Sequence, residues 1–582
     1  MKPAQPSFLS PSRALIYLLY TALIYFVIAL SIWLVDDHFS YNRGPDSAAY
    51  ILLAESIAEG YGYADINDPD MPAHTQYPPL FSLVLSPVVY LLGYNFMWMR
   101  IVVLVFVLAS LYLIKRIMER EGGLLLSLGV VLLTATNPAV IFFSREIAPE
   151  MPYLFFSLLS VVSLQGYVDR RELKAVHWLI PFVLPLAYMT KLIGLSLCAA
   201  VIFALVIRIL LEDKRVYRTK KFFYFYFLSV SLLPLVLWFS RNVISTGGAS
   251  AYLSIFLGAD YYDAAAGSAG LSGIMERVKD NLLLYSNAVP ASFLTWLGFK
   301  SIVSPLFYKG LLAFTLLSIL AGLIYGLIWK RRVMDFYMFS FLMVLLVWPV
   351  YGEGDARRYL VLVLPFLYFY FFQGIMLSIG GYLKGVYRFK GAVLLPFLLL
   401  LFFNVFEKKN FFRPDAVFQK AKVSTELLSA DLLKRKADVS PWSIGLEYFG
   451  AVPCYQRYLI SSYMLKESMD KDDVVITRKP DLVRLISGRF AKRFPYTLDR
   501  KDMEDLLRQK EATHILSDSC YPETERYLMP YLNENPERFE RISSRDIGDE
   551  KLRIDAGKME IISRLSSGAG LADTGIYRIK GD

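Results

Sequence analysis

Long apolar segments, each close to the length that crosses a bilayer, follow one another through the first 406 residues of this chain. A helix rises about 1.5 Å per residue, so roughly 20 apolar residues are needed to cross a hydrocarbon layer of about 30 Å. Segments of this kind run over 14–35, 97–114, 123–143, 150–168, 176–190, 192–211, 222–240, 303–329, 334–350, 358–380 and 391–406. The first follows a short polar stretch with Lys2 and Arg13. It continues through Trp33 and Leu34 with no small-residue cleavage site, so it reads as a retained helix and not as a signal peptide. The expected fold class is a polytopic α-helical membrane protein.

The overall figures of 55% hydrophobic and 20% charged residues conceal a division. Residues 407–582 carry 60 charged side chains, 31 basic and 29 acidic, whereas the much longer stretch 1–406 carries 54. The expectation is a membrane body over 1–406 followed by a soluble domain over 407–582. In that second part Val474–Thr477, Arg489–Tyr496, Thr513–Leu516 and Thr574–Ile579 read as strands. Helical patterns fall at Asp481–Ile486, Asp499–Gln509 and Glu523–Leu532, which predicts a small α/β domain. The net charge of +10 resides mostly in the membrane part, where basic loops report topology and not nucleic-acid binding.

Pro78–Gly93 is apolar but has only 16 residues and opens with two prolines. If it does not span, strict alternation puts five basic clusters on the side of the N-terminus: Lys115/Arg116/Arg120, Arg170/Arg171/Lys174, Lys214–Lys221, Lys330–Arg332 and Lys384/Arg388/Lys390. If it does span, all five change side. Basic loops stay cytoplasmic, so the pattern predicts about 11 transmembrane helices and a cytoplasmic N-terminus. Pro78–Gly93 becomes a juxtamembrane helix on the outer face. Segments 36–96, 144–150, 241–302 and 351–357 then lie outside with the C-terminal domain, in the periplasm or extracellular space.

Polar groups at the outer ends of spans are costly to desolvate, so each needs a partner or a function. Gly44–Tyr50 leads into an amphipathic helix starting at Asp46, on which Tyr50, Leu53 and Ile57 share a face. Asp46 is either a helix N-cap or a reactive carboxylate. His74-Thr75-Gln76-Tyr77-Pro78-Pro79 forms a rigid entrance to the juxtamembrane helix. Ser144–Pro152 brings Arg145, Glu146 and Glu150 into one turn. That is either an internal ion pair or a carboxylate facing Asp46 to orient an acceptor or share a divalent cation. Arg357 and Arg358 stand at an outer span end, on the side that basic residues avoid. There they either pair with Glu353 or Asp355 or grip a lipid phosphate. Lys191 and Arg241, at other outer ends, extend such an anionic-headgroup site.

No P-loop, dinucleotide glycine pattern or zinc spacing occurs in the sequence. Cys198 lies in a span, whereas Cys454 and Cys520 fall in the soluble domain and form a candidate pair. Without an outer Asn-x-Ser/Thr site, the chain fits a bacterial or archaeal inner (plasma) membrane better than a secretory-pathway one.

One ordered set of motifs extends over most of residues 1–380: Asp46 with Tyr50, Pro78-Pro79-Leu80, Ser144-Arg145 with Glu150, Thr190-Lys191 with Gly194, Arg241-Asn242, and Arg357–Tyr359 with Pro365. This set resembles the GT-C superfamily of membrane glycosyltransferases, in the branch of the protein O-mannosyltransferases and the aminoarabinose transferase of lipid A. The resemblance implies an enzyme that transfers a hexosyl or pentosyl group, with inversion, from a polyprenyl-phosphate donor such as an undecaprenyl phosphate sugar. The acceptor is a lipid, glycan or protein at the outer face. It implies Asp46 as general base, Glu150 as the second acid, and Arg357 and Arg358 on the leaving phosphate. Tyr50, His74, Tyr77, Arg145, Lys191, Arg241 and Tyr359 are then further substrate-binding candidates. No cofactor is firmly implied; a divalent cation stays open, with Asp46 and Glu150 as its candidate ligands.

Elementary chemistry asks for the same parts. Attack on a glycosyl phosphate needs a base beside the acceptor and positive charge on the departing phosphate, but no acid, because phosphate already leaves as a stable anion. The competing readings are a lipid-linked glycan flippase or other transporter, and an O-antigen ligase or polymerase. A transporter favours paired charges near the midplane and repeated halves.

Overall fold

The computed structural model describes residues 46–168, 175–211, 214–246, 256–258, 267–294, 304–350, 352–380, 458, 461–462, 464–466, 469–509, 512–518, 523–542 and 575–580. The apolar segments at 14–35 and 391–406, and Cys454 and Cys520, lie outside the described residues.

Helix α1 (Asp46–Ala58) is followed by an irregular segment and by α2 (Leu80–Leu92). Next come α3 (Phe96–Ala135), α4 (Pro138–Arg145), α5 (Glu150–Val168), α6 (Val183–Thr190), α7 (Leu195–Leu211) and α8 (Lys214–Thr246). They are followed by α9 (Gly270–Leu294), α10 (Pro305–Tyr325), α11 (Val333–Val347), α12 (Gly352–Leu360) and α13 (Leu364–Gly380). The C-terminal part contains β1 (Val474–Thr477), α14 (Pro480–Ser487), β2 (Phe490–Arg493), α15 (Arg500–Gln509), β3 (Ala512–Ser517), α16 (Met529–Glu534), β4 (Phe539–Ile542) and β5 (Gly575–Ile579). These elements form two compact units. One comprises Met1–Asp36, Arg100–Trp238 and Met275–Leu432; the other comprises Asp37–Met99, Phe239–Ile274 and Leu433–Asp582.

The first unit is helical. Three described helices, Phe96–Leu124, Tyr224–Ser245 and Pro305–Lys330, are long and apolar enough to cross a membrane. The stretches Leu126–Ala135 and Ala139–Arg145, bent by 57°, make a fourth if they are one span. Large apolar side chains on these helices face outward, among them Val105, Leu237 and Leu317, which are 58, 60 and 65% exposed. Such outward apolar surface is what lipid tails cover, and it places the chain in a membrane. The helix Leu80–Leu92, with 13 residues, is too short to cross one.

Helix α10 packs against α13 at two glycines: a Cβ on Gly322 would lie 2.1 Å from Tyr370 O, and one on Gly374 would lie 1.8 Å from Ser318 O. Hydrophobic burial gives little drive between helices in lipid, and small residues that let backbones touch supply the packing instead. Arg332, one of the basic topology markers, is buried: it bonds Asp335, Glu121 and Gln373. The segment expected to span 358–380 is divided by a turn between α12 and α13. Pro365 occupies the second position of α13, where its missing N–H costs nothing.

In the second unit α1 departs from the expected amphipathic pattern. Residues from Ser47 to Ala54 are buried on every side, and Ser56 is buried while Ile57 is half-buried. The reason is that α1 is covered both by α2 and by α14 of the C-terminal part. The sheet has the order β2-β1-β3-β5-β4, parallel at β1–β2 and β1–β3 and antiparallel at β3–β5 and β4–β5. All four residues of β1 are buried, as in a strand covered on both faces. The core beneath includes Ile476, Phe494, Ile515, Leu528 and Tyr531.

Candidate active site

The sequence-predicted residues collect into one cluster in each unit. In the second unit the segment between α1 and α2 closes as a small hairpin. Ala64 and Ala73 form an antiparallel bridge, His74 N–H donates to Tyr63 O over 3.0 Å, and Asp65 N–H donates to Pro72 O over 2.8 Å. This fold-back carries His74 and Tyr77 to Asp46 at the start of α1.

The Tyr77 hydroxyl donates to Asp46 Oδ1 over 2.9 Å. The Tyr77 ring lies 4.9 Å from the Tyr50 ring and stacks on His74 at 5.3 Å. His74 is fixed from both sides. Its Nε2 accepts from Tyr77 N–H at 2.8 Å, and its Nδ1 faces Asp65 Oδ1 at 2.5 Å. An Nε2 that accepts must be bare, so the proton sits on Nδ1 towards Asp65. Asp46 is thus a carboxylate with one oxygen held by a phenol that is itself anchored through a stacked histidine.

Arg241, expected to bind an anion, spends two donors on the hairpin. Nη1 bonds His74 O at 2.7 Å and Nη2 bonds Tyr63 O at 2.8 Å. Its neighbour Asn242 donates to Thr75 O over 3.2 Å. Tyr63 completes this support by donating to Tyr77 O and Pro78 O. Burial pushes the Tyr63 phenol well above its ordinary pKa, so it remains a donor.

The cluster in the first unit is built around Glu150, the first residue of α5 and fully buried. Lys191 Nζ and Arg358 Nε both donate to its Oε1, over 2.7 and 2.5 Å. Oε2 has no hydrogen-bond partner among the described residues. Lys191 reaches Glu150 because α6 ends at Thr190 and the chain turns sharply. Lys191 is extended, and a 3₁₀ turn, Leu192–Gly194, brings Gly194 N–H back to Lys191 O at 2.9 Å. A Cβ on Gly194 would lie 2.7 Å from the Tyr188 backbone, so only glycine fits there.

The Lys191 ammonium also sits over the Tyr359 ring at 5.2 Å. Arg357 and Arg358 occupy the last turn of α12, where the helix dipole favours cations. Arg358 pairs with Glu150, a partner that the sequence reading did not assign to it. Arg145 supports the site through its backbone, its carbonyl accepting from Arg100 Nε at 2.8 Å.

Sequence reasoning missed Tyr63 and Asp65, and also Tyr285. Tyr285 is buried within electrostatic reach of Tyr359 and Asp355, and its hydroxyl makes no hydrogen bond among the described residues. No short motif marks them.

Two cations on one carboxylate leave local positive charge, which suits an anion such as a phosphate. The same charge does not fit a divalent cation at Glu150, and Asp46 has a hydroxyl donor on Oδ1. No group of three metal-ligating side chains occurs among the described residues.

The chain matches no protein-family model and no curated protein. Among solved structures it is similar to ArnT of Cupriavidus metallidurans, a lipid A aminoarabinose transferase, bound to undecaprenyl phosphate. Identity is 12% over 96% of this chain and 97% of that one, with a TM-score of 0.51. Apo ArnT follows at 12% identity over 90 and 95% of the two chains, with a TM-score of 0.49. AglB, the oligosaccharyltransferase of Archaeoglobus fulgidus in complex with an inhibitory peptide and a dolichol-phosphate, follows at 11% over 90 and 72%, also at 0.49. The match at 0.51, extending over nearly the whole of both chains, gives this protein the fold of that ArnT structure.

Proposed function

We propose that the chain is an inverting glycosyltransferase moving a pentose or hexose from a polyprenyl-phosphate donor to a lipid, glycan or protein acceptor at the outer face of the membrane. The observation that carries this reading is the Asp46 carboxylate, held through Oδ1 by Tyr77 in a chain with the fold of the ArnT structure. The undecaprenyl phosphate bound by the similar ArnT structure supports the donor class. In this reading Asp46 takes the proton of the acceptor hydroxyl. The acceptor oxygen then forms its bond to the anomeric carbon from the face opposite the phosphate, as the carbon–oxygen bond to phosphate breaks. Arg357 and Arg358, with Lys191, receive the charge of the departing phosphate, while Glu150 fixes Lys191 and Arg358 in place. The topology that goes with this mechanism has a cytoplasmic N-terminus, catalytic segment 36–96 and C-terminal domain 407–582 outside.

The test is Asp46→Asn in membranes supplied with a panel of radiolabelled polyprenyl-phosphoryl pentoses and hexoses. Loss of roughly 10²–10⁴ in transfer rate is expected for removal of a general base. Transfer at the wild-type rate would refute the assignment, and a ligase or polymerase reading would gain.

A further inference from the structure

Strand β2 lies at the edge of the C-terminal sheet, with β1 on one side only. The other side of an edge strand offers backbone donors and acceptors to any segment that can pair with them. Here that segment is the tip of the hairpin between α1 and α2, in the same unit. Ala491 turns both of its backbone groups towards it: its N–H donates to Asn67 O over 2.8 Å, and its carbonyl accepts from Asn67 Nδ2 over 3.3 Å. The side-chain amide of one asparagine thus stands in for the second backbone bond of an added strand. The next residue on each side forms an ion pair, Lys492 Nζ with Asp68 Oδ2 at 2.9 Å, and Asp70 Oδ2 lies 4.0 Å from the same ammonium. Asn67, Asp68 and Ala491 are all buried.

From this contact an unbroken series of bonds runs to Asp46. Asp68 Oδ1 accepts from Asp70 N–H over 3.0 Å, which shapes the tip, and Asp68 N–H donates to Asp65 O over 3.1 Å. Asp65 Oδ1 faces His74 Nδ1 at 2.5 Å, His74 Nε2 accepts from Tyr77 N–H at 2.8 Å, and the Tyr77 hydroxyl reaches Asp46 Oδ1 at 2.9 Å. We propose that Asn67 and Lys492 are positioning residues for Asp46: they form a clasp by which the C-terminal domain holds the hairpin in the shape that aims the base, so that this domain is part of the transfer machinery. This deepens the reading of Asp46 as base and rests on it. The hairpin is anchored at two places. Arg241 braces its open end through Tyr63 O and His74 O, and β2 holds its tip at Asn67 and Asp68. With the tip released, Asp65 loses the fixed backbone that orients its carboxylate towards His74, and the Tyr77 hydroxyl loses its aim. A displacement of about 1 Å in a reacting geometry is enough to slow the chemical step.

Hydrogen–deuterium exchange of the full-length protein in detergent, read by peptide mass spectrometry, tests the clasp without donor or acceptor. In Lys492→Met and in Asn67→Ala the peptide over residues 63–77 is expected to exchange roughly tenfold faster than in the wild type, while β3 keeps its protection. Lys492→Arg, which keeps the ion pair, is expected to exchange as the wild type does. Wild-type exchange of 63–77 in both of the first two variants would overturn the clasp. Loss of β3 protection in both would assign these residues to the domain's own folding and overturn it as well. In the transfer assay the same two variants are expected to lower kcat roughly tenfold or less, with donor KM unchanged because Lys191, Arg357 and Arg358 belong to the other unit, and Lys492→Arg to restore kcat. Faster exchange with an unchanged kcat overturns the positioning role alone. An Asp46→Asn enzyme with full activity overturns the base reading, and with it the positioning role, whatever the exchange shows.

Discussion

The Tyr77 hydroxyl points at Asp46 Oδ1 across 2.9 Å, from a residue 31 positions further along the chain. Only the fold-back of the hairpin between α1 and α2 allows this contact, and the Arg241 bonds to His74 O and Tyr63 O brace that fold-back. Tyr77→Phe keeps the ring stacked on His74 and removes only the hydrogen bond. A net contribution of about 1 kcal/mol predicts a fall in kcat of roughly tenfold or less, with donor KM nearly unchanged. Steady-state transfer at saturating donor checks it.

Glu150 compensates Lys191 and Arg358 inside the helical unit. Removing one partner of a buried ion pair leaves uncompensated charge, at a cost of about 3–5 kcal/mol. Glu150→Ala is therefore expected to unfold well below the wild type in detergent. Glu150→Gln, which still offers an oxygen to one cation, should lose less. Equal melting of all three proteins would contradict the account of the cluster.

Gly194→Ala places a methyl 2.7 Å from the Tyr188 backbone, which has no flexible end to move aside. The expected loss is about 1–3 kcal/mol in stability, together with weaker donor binding as the turn that aims Lys191 opens. Thermal unfolding and donor titration of the variant measure the two effects.

Lys479, between β1 and α14, makes stability depend on pH with a definite sign. Desolvation, Arg478 and Arg493 lower its folded pKa to about 7, so the unfolded chain binds the extra proton between that limit and the ordinary lysine value. Stability contributed at this site therefore rises with pH from about 7 to about 10.4, and the full penalty applies below that window. The difference in denaturation midpoint between wild type and Lys479→Met should narrow across the same interval. A constant difference would contradict the depressed value.

The elements that the sequence displayed well are those whose signal is long or unbroken. The α5 limits, Glu150 and Val168, coincide with the apolar segment, and β1 coincides with Val474–Thr477. The four-residue β4 was not legible, because Glu540 and Arg541 are both exposed and leave no clean alternation. The outward polarity expected of α1 failed because its second cover, α14, comes from more than 400 residues away. Asp46, Glu150, Lys191 and Arg358 were recognisable as costly polar groups at span ends. Their partners were not, since Arg358 lies 208 positions from Glu150. The backbone carbonyls that accept from Arg241 were not legible either, because they carry no mark in a sequence.

The most direct test of the central claim is mass spectrometry of the lipids that co-purify, under mild extraction, with the wild-type protein and with an Arg357→Ala/Arg358→Ala variant. The account predicts a polyprenyl phosphate or its glycosylated form on the wild type and its loss from the variant. Bulk phospholipid alone on both proteins, unchanged after polyprenyl phosphate is added back, would contradict it.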